Sequence, residues 1–159
     1  MRTHRRLVSL IAVLVILPLL VLGAYGVGYR LNLQTGQVPV PPVNASPEQI
    51  ALTYMDAFNH RDRATMAELF PSRGGVNRFR AIGHYSNIQL VSGHPMSDSE
   101  RTGGVGASHR DAYIVAVQLT YTGFDPGDVG YTPGPNGWNY YLVRDRPGDR
   151  WTIGDQGVL

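Results

Sequence analysis

The sequence predicts an α+β domain carried behind one N-terminal transmembrane helix, and three observations predict it. An uncharged aliphatic run opens the chain. Two segments with apolar residues at helical spacing follow a proline-rich stretch, and the second half alternates apolar with polar residues at the period of strands. Hydrophobic side chains make up 43% of the 159 residues, ordinary for a folded chain, so one domain with one core is expected from residue 47 to the C-terminus.

The opening element is the apolar run. No side chain from Leu7 to Tyr29 is charged, and at about 1.5 Å per residue the run covers roughly the 30 Å of a bilayer core. Arg2, Arg5 and Arg6 precede it and Arg30 alone follows closely. The positive-inside rule then places residues 1–6 in the cytoplasm, 7–29 across the membrane and the rest outside. A cleaved signal peptide is the competing reading, with Gly23-Ala24-Tyr25-Gly26 as its processing site and a secreted product. Residues 30–46 hold Pro39, Pro41 and Pro42 with no period that buries a face, and read as a semi-extended stalk. Asn44-Ala45-Ser46 matches a glycosylation sequon but also leads directly into the next helix.

Ser46-Pro47-Glu48-Gln49 is a helix start: Ser at the N-cap, Pro at the first helical position, and Gln placed to close a capping box. Ile50, Ala51, Tyr54, Ala57 and Phe58 continue at helical spacing to Asn59-His60-Arg61, and a second short helix fits Asp62 to Phe70 before Pro71. Residues 72–85 give no clear period. Ile88 and Leu90 then alternate with Asn87 and Gln89. From Ala112 to Thr122, Tyr113, Val115, Val117, Leu119 and Tyr121 form one face against Gln118, Thr120 and Thr122. Trp138 to Val143 and Arg150 to Ile153, joined by Arg146-Pro147-Gly148-Asp149, read as a terminal hairpin with a type II turn.

Ala51-x-x-Tyr54-x-x-Ala57-Phe58-x-x-x-Asp62, then Met66-x-x-Leu69-Phe70 and a closing Trp151-x-Ile153-x-Asp155, resemble the NTF2-like superfamily (SnoaL-like and cystatin-like cones). The resemblance covers residues 47–159 and implies a curved antiparallel sheet wrapped on two to three helices into a cone. It implies no single function, since that superfamily holds dehydratases, isomerases and many non-enzymatic binding or assembly domains. Single-pass bacterial members of this layout resemble accessory subunits of envelope machinery. The use of Arg to the exclusion of Lys, with abundant Gly and Ala, is that of a GC-rich bacterial genome.

Composition excludes several chemistries. With no Cys there is no thiolate nucleophile, disulfide, Cys-ligated metal or lipobox attachment. Apart from the arginines flanking the apolar run, Asp and Glu slightly outnumber Arg, and Arg61, Arg63, Arg73, Arg78 and Arg80 are interleaved with Asp62 and Glu68. That pattern is a solvated helix surface, and no nucleic-acid partner is expected. Gly103-Gly104-Val105-Gly106 precedes a strand, the wrong context for a phosphate loop. His84, His94 and His109 with Asp111 match no ligand spacing, so no metal or other cofactor is expected.

Within a cone, acid–base work would fall to Asp111, Tyr54, Tyr113 or His84, with Tyr140 and Asp155 as further titratable candidates. Against this, inward Tyr residues are ordinary core fillers, and acids at strand ends are ordinary turn residues. Tyr54, Phe58, Tyr113 and Trp151 would line a cavity for a small apolar ligand. Tyr131, Trp138 and Tyr141 beside a Pro-Gly loop would form an aromatic rim for a partner. No acid–base pair stands out. The expectation is therefore a non-catalytic, membrane-anchored module mediating protein association or self-association at the cell envelope, with an exported small-ligand-binding protein or acid–base enzyme as the alternative.

Overall fold

The structure is a computed structural model and describes residues 2–26, 34–73, 82–102, 104–124 and 132–158. Helix α1 (Arg2–Gly26) carries Pro18 in its interior. Among the described residues no helix is long and apolar enough to cross a membrane. This corrects the expected transmembrane helix over 7–29. Residues 13–26 of α1 are exposed, Leu14 by 65% and Leu22 by 66%.

Helix α2 (Pro47–Asn59) begins as its sequence dictates. The Ser46 hydroxyl accepts from the Gln49 N–H at 3.3 Å, and the Gln49 carboxamide oxygen accepts from the Ser46 N–H at 3.0 Å, closing the capping box. Its buried stripe is Ile50, Ala51, Tyr54, Met55, Ala57 and Phe58, while Leu52 and Asp56 face outward. Asp62 caps α3 (Arg63–Leu69) by accepting from the N–H groups of Ala64 and Thr65.

The other oxygen of Asp62 accepts from the Val38 N–H at 2.8 Å, and the Thr65 hydroxyl donates to the Val38 carbonyl at 2.7 Å. Val38 and Ala45 are buried in the core, and the Gly36 N–H donates to the His60 carbonyl at 2.9 Å. The proline-rich segment is therefore no free spacer over 36–45; it lies along α2 and α3. Proline suits this role, because extended backbone docked by side-chain caps has no need of the missing N–H.

The sheet is an antiparallel meander of four strands in the order β1-β2-β3-β4: β1 (Ile82–Pro95), β2 (Asp111–Phe124), β3 (Gly134–Arg144) and β4 (Thr152–Val158). Tyr113, Val115, Val117, Leu119 and Tyr121 of β2 face the helices, as the alternation requires, with Trp138, Tyr140 and Leu142 beside them on β3. β1 is far longer than its alternating segment predicts. Register shifts between Ser86 and Gln89 and between Leu90 and Ser92, with Asn87 at φ 50°, break the period of two that a sequence scan relies on. The β3–β4 turn closes on Asp149 N–H to Arg146 O at 3.1 Å, with Gly148 at φ 93° in the position a type II turn reserves for Gly.

The core is aromatic. Phe58 stacks on Tyr85 at 4.4 Å between centroids, and Tyr54 meets Phe70 and Tyr140 edge-on at 5.7 and 5.9 Å. Such pairs contribute about 0.5–1.5 kcal/mol each beyond their burial. The opposite sheet face is partly covered by the β1–β2 connection, which holds α4 (Asp98–Arg101) and a 3₁₀ turn, Val105–Ser108. Met96 and Val105 pack there on Ala112, Val143, Ile114 and Tyr141. Val143 on that face is only 4% exposed, because the chain folds back over it.

Candidate functional site

An antiparallel meander brings the end of β1, the start of β2, the end of β3 and the start of β4 to one edge. The first turn of α2 arrives at the same edge. Between them lies a cleft of about 340 Å³, lined by Pro47, Pro95, Met96, Arg101, Asp111, Ala112, Tyr113, Arg144 and Trp151.

Asp111 and Arg144 stand directly opposite each other on β2 and β3, and the Arg144 Nε donates to Asp111 Oδ2 at 2.7 Å. The pair is about one-third exposed at each end, 29% and 32%. A cross-strand pair of this kind contributes only about 0.2–1 kcal/mol and serves mainly to orient its members. The Arg144 guanidinium lies over the Trp151 ring, 4.4 Å from its centroid, and Tyr113 meets the same indole edge-on at 6.0 Å.

Tyr113 donates its hydroxyl proton to Glu48 in the first turn of α2 at 2.7 Å. That bond, with burial and the Glu48 charge behind it, raises the Tyr113 phenol above its ordinary 10.0. Burial works to raise Glu48. The hydrogen bonds from Tyr113, its own backbone N–H and Ser46 outweigh that and hold it below the usual 4.5. Arg101 reaches back from α4 and donates through Nη2 to the carbonyls of His109 and Arg110, pinning the connection beside the cleft.

Of the residues expected to line one cavity, the structure brings Tyr113 and Trp151 together and leaves out Tyr54 and Phe58, which are packed in the interior. Asp111 joins the cleft. His84 lies at the other end of β1, opposite Thr122, where burial first and the charges of Arg61 and His60 second lower its pKa from 6.5. Tyr140 is fully buried, and Asp155 sits across from Tyr141 on the outer face. The expected aromatic rim does not form: Trp138 is 4% exposed in the core, on the face opposite Tyr141, and Tyr131 lies outside the described residues. His94 pairs with Glu100 at 3.2 Å and His109 with Asp145 at 2.9 Å. Among the described residues no three His or carboxylate side chains converge on a metal position.

Sequence reasoning missed Glu48, Arg101 and Arg144. Glu48 reads as a first-turn acid serving the helix dipole, and Arg144 as a solvated strand end. The only signal for Arg144 is the strand register that sets it opposite Asp111, and the loop between β2 and β3 hides that register from a linear reading.

The chain matches no protein-family model, no characterised protein and no solved structure.

Proposed function

We propose that this protein is a non-catalytic α+β module, an NTF2-like domain in architecture, that works by associating with a partner protein through the cleft at the sheet edge. One observation carries the reading: both carboxylates of the cleft are committed to partners within it, Asp111 to Arg144 and Glu48 to Tyr113. General acid–base chemistry needs a titratable group aimed at a substrate, and a paired carboxylate beside a phenol of raised pKa is a structural brace at neutral pH. Proline and aromatic walls are the surface that protein contacts favour, since Tyr and Trp bury area at low entropy cost. The chain itself already covers part of the outer sheet face, which favours the cleft as the contact surface.

Export belongs to the same reading. Arginines ahead of an aliphatic run are the features of a secretory leader, and the partner is then another protein of the cell envelope. Mild cross-linking in intact cells, followed by purification of the tagged full chain, tests the association. Reproducible recovery of one envelope protein with the wild type and its loss with Trp151→Ala supports the reading; recovery untouched by that change removes the cleft from it.

A further inference from the structure

We propose that the cleft recognises a carboxylate carried on an apolar body, with the Arg144 guanidinium as its anchor; this rests on the reading of the cleft as a contact site and names the chemistry it contacts. Arg144 engages Asp111 through Nε alone, and among the described residues its two Nη groups meet no acceptor. A guanidinium is a planar fork of donors that matches the two oxygens of a carboxylate. Its plane is already set by the Trp151 ring beneath it and the Asp111 oxygen beside it, so little rotamer freedom remains to be lost on binding.

Charge points the same way. In the lining itself Arg101 and Arg144 face one carboxylate, Asp111, while the second carboxylate of the cleft, Glu48, lies behind Tyr113 and accepts its hydroxyl proton. Arg101 is held by its Nη2 alone, so Nε and Nη1 find no acceptor among the described residues either. The remaining walls, Trp151, Tyr113, Met96 and the two prolines, offer apolar and aromatic surface with no charge, which suits the body of the ligand and not a bare inorganic anion. The volume, about 340 Å³, falls at the lower end of small-ligand sites, roughly 300–1,000 Å³. A partner's C-terminal residue and a free organic acid share this chemistry.

The test titrates the full-length protein with 3-phenylpropionate, its neutral amide 3-phenylpropionamide, and inorganic phosphate, reading the Trp151 indole and arginine Nε resonances. The carboxylate alone should perturb Trp151, and Arg144→Gln should weaken it about tenfold or more, as loss of a charged hydrogen bond does. Asp111→Asn removes the competing anion and should tighten the same probe several-fold. A variant that merely disturbs the fold cannot give that gain. Equal binding of acid and amide, preference for phosphate, or tightening absent in Asp111→Asn would overturn the inference. Arg144→Gln in the cross-linking experiment separates the sources: loss of the recovered partner assigns the carboxylate to that protein, and an unchanged partner assigns it to a free acid. Failure of the probe with the partner still lost in Trp151→Ala leaves the association standing and the carboxylate refuted.

Discussion

Asn59 pairs both ends of its side-chain amide with the backbone of a single residue, Tyr85: its Nδ2 donates to the Tyr85 carbonyl at 2.9 Å and its Oδ1 accepts from the Tyr85 N–H at 2.8 Å. The last residue of α2 thereby acts as one rung of a sheet for edge strand β1, and it does so 7% exposed. Asn59→Ala leaves two buried backbone groups without partners, at about 1–3 kcal/mol each. The expected result is a loss of about 2–6 kcal/mol in urea unfolding at unchanged m-value. Asn59→Asp should be comparably damaging, because it faces the Tyr85 carbonyl with an acceptor.

Asp62 ties the proline-rich segment to the domain, and its carboxylate is held below the ordinary 3.8, first by the Val38 N–H and then, against some burial, by Thr65 and Ala64. A depressed carboxylate pKa in the folded state stabilises above the unfolded value and loses that contribution as pH falls through the folded one. Stability should therefore decline below about pH 3.8 in the wild type and less steeply in Asp62→Asn, which keeps the acceptor without the charge. Asp62→Ala should cost about 1–2 kcal/mol at pH 7, as N-cap losses do. Amide exchange should show Val38 losing protection.

Tyr113 and Glu48 form the brace of the cleft. The Tyr113 ring carbon should titrate above pH 10.0 and move back toward that value in Glu48→Gln, where the charge is gone. Because the folded state holds this proton more tightly than the unfolded chain, stability should fall as pH rises beyond 10.0. Tyr113→Phe should remove both effects, followed by the tyrosine NMR signals, and leave the Arg144–Trp151 stack in place.

Gly154 sits where the β1–β2 connection touches the sheet. A Cβ built there meets Val105 at 2.6 Å and Val143 at 3.2 Å. Gly154→Ala should push the 3₁₀ turn off the outer face and cost about 1–3 kcal/mol, the range for overpacking. Val105→Ala in the same chain should restore part of that loss. A double-mutant cycle with no coupling would show that the connection does not rest on the sheet.

Trp138 separates core from surface. At 4% exposure it packs among Val117 and its neighbours, so Trp138→Ala should cost about 3–5 kcal/mol in thermal or urea melts. Wild-type stability in that variant would return Trp138 to the surface that its place beside a Pro-Gly loop suggests.

The sequence by itself determined the order of elements and the inner face of β2. Capping at Ser46, the apolar spacing of α2, the Asp62 cap of α3 and the Pro147-Gly148 turn are local chemistry, carried by residues within four positions of one another, and so they are legible in one dimension. The length of β1 was not, because its bulges interrupt the alternation that marks a strand. Nor was the docking of Val38, whose partners Asp62 and Thr65 lie more than twenty residues away.

Tertiary structure alone decided the cleft. Glu48, Asp111 and Arg144 come from three elements, and they meet each other and Trp151, just ahead of β4, only because an antiparallel meander returns alternate strand ends to one edge. Tyr54 and Trp138 show the converse: each carries a polar atom that reads as functional in a list of residues, and each is spent on packing. The aliphatic run suggested a span by its composition. Among the described residues, however, no helix is long and apolar enough to cross a membrane.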